Sequence, residues 1–278
     1  MNFLDIQNSD YYSEELLLHS RKIGDNGLDF IILHGLFGSS KNWSSFSASL
    51  KNNFQVWTID ARNHGLSPHS YSMSYTEMAK DIFRFCVTNK LEKIILLGHS
   101  MGGKTAMKFA LEYPDMIAAL IVVDIAPVVY DHEHEQRDLI DIMKGLHLAK
   151  YTTRMEIEKK LLIKLPNKRL VAFLMTNIIN RNGQFIWRIG LEQIAARIHE
   201  LLNYPETKCT FKGPVKFIGG ENSEYLHHKY HKIIRRYFPE TSITMLKNCG
   251  HWLHVERPNA FKKTVNEFLL LNNFLHKI

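Results

Sequence analysis

Cysteine is scarce in this 278-residue chain. Cys86, Cys209 and Cys249 are an odd and scattered set, so no disulfide framework is expected, and a cytoplasmic location is. Long apolar runs are also missing. No stretch approaches the roughly 18 apolar residues that a membrane-spanning helix needs, so no span is expected. Met1-Asn2-Phe3-Leu4-Asp5 lacks the basic-then-apolar order of a secretory signal, and none is expected. The chain is basic, with net charge +7. Its basic pairs, Lys159-Lys160, Arg235-Arg236 and Lys262-Lys263, stand far apart without interleaved aromatics, which predicts a solvated surface and no nucleic-acid partner. Two His-rich patches, Asp131-His132-Glu133-His134-Glu135 and His227-His228-Lys229-Tyr230-His231, have no accompanying H-E-x-x-H or cysteine cluster. They are expected to be solvated helix starts, and no metal or other cofactor is expected. Internal repeats and low-complexity segments are absent.

What remains is a folded chain with enough apolar residues, 45%, to bury a sizeable core. Glu15 to Ser20 and the segment after it suggest an opening hairpin. Short apolar runs at Phe30–Leu33, Val56–Asp60, Ile94–Leu97, Ile117–Asp124, Val215–Gly220 and Ser242–Leu246 predict buried strands. Helices are predicted between them, over Asn42–Leu50, from the capping box Ser74-Tyr75-Thr76-Glu77 to about Asn89, after Ser100, and over Asn259–Asn272. This alternation implies an α/β fold with a mostly parallel, doubly wound central sheet and helices on both faces, whose ligands bind beyond the strands' carboxyl ends. From Val128 the strand rhythm stops. Apolar positions three and four apart over Leu139–Leu148, Met155–Leu165, Lys168–Ile179 and Leu191–Leu202 predict an all-helical insertion. The expected organisation is a core of residues 1–127 and 209–278, with a helical cap over residues 128–208. Phe173, Met175, Phe185 and Trp187 in that cap suggest an apolar pocket, although core packing explains them equally well.

The chain is organised around Gly98-His99-Ser100-Met101-Gly102-Gly103, which joins the Ile94 strand to a helix free of Gly and Pro. Strand, G-x-S-x-G, helix is the context of a nucleophile elbow. A Cβ at Gly98 or Gly102 would collide with the neighbouring element, and the turn lifts the Ser100 hydroxyl to a helix N-terminus, where negative charge is favoured. Such a serine needs a base and an orienting acid. His251 follows the last predicted strand and comes after Ser100 and the acid in chain order, with His254 as its rival. Asp124 closes the strand that follows the elbow helix, one strand spacing from it, and is the candidate acid. Glu221 and Glu224, in the loop after Gly220, are alternatives, and Ser223 in that loop is a candidate partner of Asp124. The expected oxyanion donors are the N–H groups of Met101 and of Leu36, with Phe37 as the alternative to Leu36. His34 is expected to be structural, and Asp60, Arg62 and His64 to brace that edge.

Together these residues resemble the α/β-hydrolase superfamily over nearly the whole chain, and within it the YbfF-type bacterial serine esterases. The resemblance rests on His34-Gly35-Leu36-Phe37-Gly38-Ser39, Asp60-Ala61-Arg62-Asn63-His64-Gly65-Leu66-Ser67-Pro68, Gly98 to Lys104, Asp124-Ile125-Ala126-Pro127 and Gly250-His251-Trp252. It implies the α/β-hydrolase fold with a cap, and a metal-free serine hydrolase acting on small-molecule esters or thioesters of short to medium acyl chain. It also implies an acid at Asp124 joined by Ser223. Glu221 departs from that pattern. A monomer or homodimer is expected. Alternatives are a non-catalytic ligand-binding protein on the same scaffold, or haloperoxidase or C–C hydrolase chemistry.

Overall fold

The computed structural model describes residues 16–131 and 133–275. In chain order the first half runs Ser20–Ile23 (β1), Asp29–Leu33 (β2), Ser44–Leu50 (α1), Gln55–Ile59 (β3), Tyr75–Thr88 (α2), Ile94–His99 (β4), Met101–Glu112 (α3) and Ile117–Val123 (β5). An insertion follows: Glu133–Lys144 (α4), Arg154–Lys164 (α5), Lys168–Met175 (α6), Ile178–Arg181 (β6), Gln184–Trp187 (β7) and Leu191–Leu202 (α7). The chain then returns through Val215–Gly220 (β8), His231–Tyr237 (α8), Thr241–Leu246 (β9), Leu253–Glu256 (α9) and Pro258–Leu271 (α10).

Among the described residues seven strands form one sheet in the order β1-β3-β2-β4-β5-β8-β9, and every pairing in it except the antiparallel β1–β3 edge is parallel. The expected doubly wound sheet is present. Its central strands are buried on both faces, which is why they read as unbroken apolar runs. Along β4, Ile94 and Leu96 pack with α2, α3 and α8, while Ile95 and Leu97 pack with α1 and α10 on the opposite face. Removing one such side chain, as in Leu96→Ala, costs about 2–5 kcal/mol at a fully buried site.

Two local expectations are corrected. β1 pairs with β3 rather than folding back on β2, so the opening segment is an edge strand and no hairpin; Glu15 lies outside the described residues. The insertion is not all helical. The period read through to Ile179 ends at Met175, and Ile178–Arg181 pairs antiparallel with Gln184–Trp187. Asn182 and Gly183 between them both have positive φ, 53° and 85°, which is the two-residue primed turn that Asn-Gly favours in hairpins. At α2 the Ser74 hydroxyl accepts from Glu77 N–H at 3.2 Å. The Glu77 carboxylate turns to Lys80 and Arg62.

The insertion lies over the carboxyl edge of the sheet. Ile140 and Met143 of α4, Leu174 of α6, and Ile194, Ile198 and Leu201 of α7 form a third core with Phe37, Met73, Tyr75 and Met101. Its tightest polar attachment is at the end of α7. There the Tyr75 hydroxyl donates to the Leu201 carbonyl (2.5 Å), and Lys104 Nζ donates to Leu202 and Asn203 carbonyls (2.8 and 2.9 Å).

Candidate active site

Ser100 sits between β4 and α3 with φ 53° and ψ −118°, a strained conformation for a residue with a side chain. Its neighbours must be glycine because the turn is so tight. A Cβ on Gly98 would stand 2.1 Å from the Gly102 carbonyl oxygen, and one on Gly102 2.5 Å from the Leu33 and His34 oxygens. The Ser100 N–H donates to Val123 O (3.0 Å), which fixes the elbow to the end of β5.

Asp124 follows β5 and is fully buried. Its Oδ1 accepts from Gly220 N–H (3.0 Å), and its Oδ2 accepts from the Ser223 hydroxyl and from His251 Nδ1 (2.8 Å). Asp124 also has positive φ, 51°, the conformation in which its carboxylate meets both later loops. His251 reaches this position because the loop after β9 closes over Gly220, where any Cβ would lie 2.3 Å from Gly250 O. His99 holds that loop from below, with its Nε2–H donating to the His251 carbonyl at 2.9 Å. Burial and the nearby His251 push His99 well below the ordinary histidine range, which keeps it neutral.

The competing residues are otherwise engaged. His254 stacks on Trp43, ring centroids 4.2 Å apart, and burial holds its pKa down to about 3. Glu221 and Glu224 are exposed, and the Glu221 carboxylate accepts from Asn248 N–H at 3.1 Å.

The Gly35-Leu36-Phe37-Gly38 turn is closed by Gly38 N–H donating to Gly35 O at 2.9 Å. A Cβ on Gly35 would lie 3.1 Å from Ser100 Cβ, so the turn abuts the elbow. His34 Nδ1–H also donates to Gly35 O (2.8 Å), while its Nε2 accepts from Ala61 N–H (3.0 Å). With two donors on its carbonyl end, the Gly35–Leu36 peptide turns its Leu36 N–H the other way. Phe37 N–H is committed to His64 Nε2 (3.1 Å), and His64 Nδ1–H to Arg62 O (2.9 Å). Both histidines must be neutral to accept these bonds. Burial lowers His34 and takes His64 to about 3. Below them, Asp60 accepts from Ser40 and Leu66 N–H groups (2.6 and 2.9 Å), and Arg62 forms a two-pronged buried pair with Asp81 (2.6 and 2.8 Å).

Leu36, Ser100, Met101 and His251 open onto one cavity of about 150 Å³. Its apolar wall includes Trp43, Ile125, Leu139, Phe173, Ile198 and Trp252. Of the cap residues expected to form an acyl pocket, Phe173 is there. Met175 and Phe185 instead pack inside the insertion with Leu161 and Val171, and the Trp187 indole N–H donates to Met143 O at 3.1 Å. Periodicity alone does not tell a cavity wall from a core. No motif or spacing marked His99 as a loop anchor, or Tyr225, whose ring lies 4.3 Å from that of His251.

Among the described residues no group of three or more His, Cys, Asp or Glu is placed to hold a metal ion. His132 of the first His-rich patch lies outside them. No helix among them is long and apolar enough to cross a membrane.

A mostly parallel sheet, a serine in a glycine-lined elbow and a buried carboxylate–imidazole pair beside one cavity define an α/β hydrolase. The comparisons agree: the family described as alpha/beta hydrolase fold matches residues 30–258, and the chain belongs to it. Among its relatives is the mouse (Mus musculus) sn-1-specific diacylglycerol lipase ABHD11, 37% identical over 253 residues, covering 88% of this chain and 82% of the mouse protein. Esterase YbfF of Escherichia coli K12 is 28% identical over 244 residues, covering 88% of this chain and 94% of the relative. A solved structure described as a marine microorganism esterase superposes with TM-score 0.90 at 39% identity, covering 92% of this chain and all of that one.

Proposed function

We propose that this α/β hydrolase is a serine carboxylesterase or thioesterase that works through an acyl-enzyme on Ser100. The observation that carries the reading is the Asp124 Oδ2–His251 Nδ1 contact of 2.8 Å, with His251 and the strained Ser100 facing the same cavity. In this reading Asp124 fixes the tautomer that leaves His251 Nε2 free as a base, and Ser223 and Gly220 hold the carboxylate in place. His251 takes the Ser100 proton as Oγ attacks the acyl carbonyl carbon, and the N–H groups of Leu36 and Met101 receive the oxyanion. As the tetrahedral intermediate collapses, the bond to the leaving alkoxide or thiolate breaks and that group takes the proton from His251. Water then repeats the sequence on the acyl-enzyme and releases the carboxylic acid. The cap, taken as residues 128–208 over a core of 1–127 and 209–278, supplies the apolar wall for the acyl chain.

A cavity of about 150 Å³ is the size that accepts a six-carbon ring, which supports short acyl chains. The relatives named as an esterase and a diacylglycerol lipase support acyl-ester chemistry in general. The test is fluorophosphonate labelling with the modified peptide mapped, together with turnover of p-nitrophenyl esters of increasing chain length. Labelling on Ser100, lost in Ser100→Ala, is expected, with kcat/KM falling for acyl chains beyond about eight carbons, which outgrow a cavity of benzene size. A folded wild type that takes up no label overturns the proposal.

A further inference from the structure

Phe37 is held in an unfavourable conformation. Its φ is 60°, in the left-handed region that an aromatic L-residue enters only at a cost. Such strain persists only where the surroundings over-determine the backbone. His64 supplies one restraint, on the N–H. The other comes from the cap, 140 residues away: Asn177 Nδ2 donates to the Phe37 carbonyl at 2.7 Å.

That carbonyl belongs to the same peptide as the Gly38 N–H, which donates to Gly35 O. Gly35 O in turn belongs to the peptide that carries the Leu36 N–H. Asn177 therefore stands at the head of two hydrogen-bonded peptide planes, the second of which presents the Leu36 donor. Asn177 is itself fully buried and its backbone is pinned, its N–H to Leu174 O (2.9 Å) and its carbonyl to Arg188 N–H (2.7 Å). Its Oδ1 has no protein partner among the described residues. For packing alone, an apolar side chain of similar volume would serve there at least as well.

We infer that Asn177 is a positioning residue that sets the oxyanion turn from the cap, so that the Leu36 N–H is aligned when the cap is seated on the core. This rests on the reading of Leu36 and Met101 as the oxyanion donors. It makes the cap part of the catalytic geometry as well as the wall of the acyl site.

Asn177→Leu removes the donor and keeps the volume; Asn177→Ala is the second variant should the larger side chain not fit. Asn180→Ala is the control, because Asn180 accepts from Gly183 N–H in the same hairpin and does not touch Phe37. The readouts are kcat and KM on p-nitrophenyl butyrate, Ki for an aryl trifluoromethyl ketone whose hemiketal oxyanion needs the same donors, and the melting temperature. Removing an oxyanion donor outright costs about 100- to 1000-fold, so misaligning one is expected to lower kcat about tenfold with KM within about twofold. The ketone Ki should rise by the factor by which kcat/KM falls, with Tm moving less than about 4 °C and Asn180→Ala unchanged in kcat and Ki. A folded Asn177 variant with wild-type kcat and Ki overturns the inference, and so does a kcat loss with unchanged Ki. A wild type that neither cleaves the ester nor binds the ketone overturns the serine-hydrolase reading itself.

Discussion

Asp124→Asn tests the proposed chemistry most sharply, because the structure dictates which way the new amide must face. In the native site Oδ1 receives the Gly220 N–H at 3.0 Å, and Oδ2 receives both the Ser223 hydroxyl and His251 Nδ1. A side-chain amide offers one acceptor oxygen and one donor nitrogen. The Gly220 backbone donor cannot rotate away, so the oxygen must stay opposite it and the NH2 must replace Oδ2. That NH2 then points at His251 Nδ1 and compels it to be the acceptor. The imidazole proton moves to Nε2, the atom required to accept the Ser100 proton. The base is lost with almost no change of shape. In serine proteases the equivalent substitution costs about ten-thousandfold in kcat; here about a thousand- to ten-thousandfold is expected, about 4–5.4 kcal/mol of transition-state stabilisation. Stability should change by less than about 2 kcal/mol, because the substitution gives up charge-assisted hydrogen bonds and also removes a buried charge. The assay is kcat on p-nitrophenyl butyrate with the rate of fluorophosphonate labelling, run beside Glu221→Gln and a urea melt. An Asp124→Asn variant within tenfold of wild type would refute the assignment, and a larger loss in Glu221→Gln would move the acid to Glu221.

Two further outcomes follow from the surrounding structure. Gly98→Ala places a methyl 2.1 Å from the Gly102 carbonyl oxygen, which the elbow relieves only by opening; a loss of about 3 kcal/mol in a thermal or urea melt is expected, with fluorophosphonate labelling lost in parallel, and unchanged values for both would mean that the turn is not closed as described. Lys104 is buried between the Tyr75 and Tyr130 rings, and burial lowers its pKa from 10.5 to about 7. Between those values the unfolded chain holds a proton that the folded chain has released, so stability rises with pH across the window and is flat below it, where both states are charged. The difference, 10.5 − 7 = 3.5 pH units, sets a ceiling of about 5 kcal/mol on the effect. Urea midpoints at pH 6, 7.5 and 9 should therefore show the gap between wild type and Lys104→Met moving in favour of the wild type as pH rises, and a gap independent of pH would sink the assignment.

Much of the core was legible because its signals are local. A central strand of a parallel sheet is apolar on both faces, so Ile94–Leu97 and Ile117–Val123 announced themselves as uninterrupted runs. Chain order then placed Ser100, Asp124 and His251 after β4, β5 and β9 at the carboxyl edge of the sheet, and the structure joins Asp124 to His251 and turns His251 and Ser100 to one cavity. The geometry that distinguishes Asp124 from Glu221 was not legible. Both follow a strand, and only the left-handed backbone at Asp124 and the closing of Gly250 over Gly220 decide which carboxylate meets the imidazole.

The insertion was harder to read, and the reason is physical. Its helices are short and amphipathic, and a buried apolar face looks the same whether it meets another helix or an open cavity. Phe173 and Met175 lie two residues apart on α6; one lines the cavity and the other is packed inside the insertion. The Asn182-Gly183 turn was a readable hairpin signal, but the helical period of Lys168–Met175 was carried through Ile178-Ile179, where β-branched residues fit a strand better. The ties that hold the insertion join residues 98 to 140 apart: Lys104 with Leu202, Tyr75 with Leu201, Asn177 with Phe37. No spacing rule spans such distances. A lysine four residues past the elbow serine reads as a solvated helix residue until the C-terminal carbonyls of α7 are found above it. A sequence reading thus recovers the reacting groups before it recovers what aligns them, because the first are fixed by the strand each one follows and the second by how the insertion settles on the core.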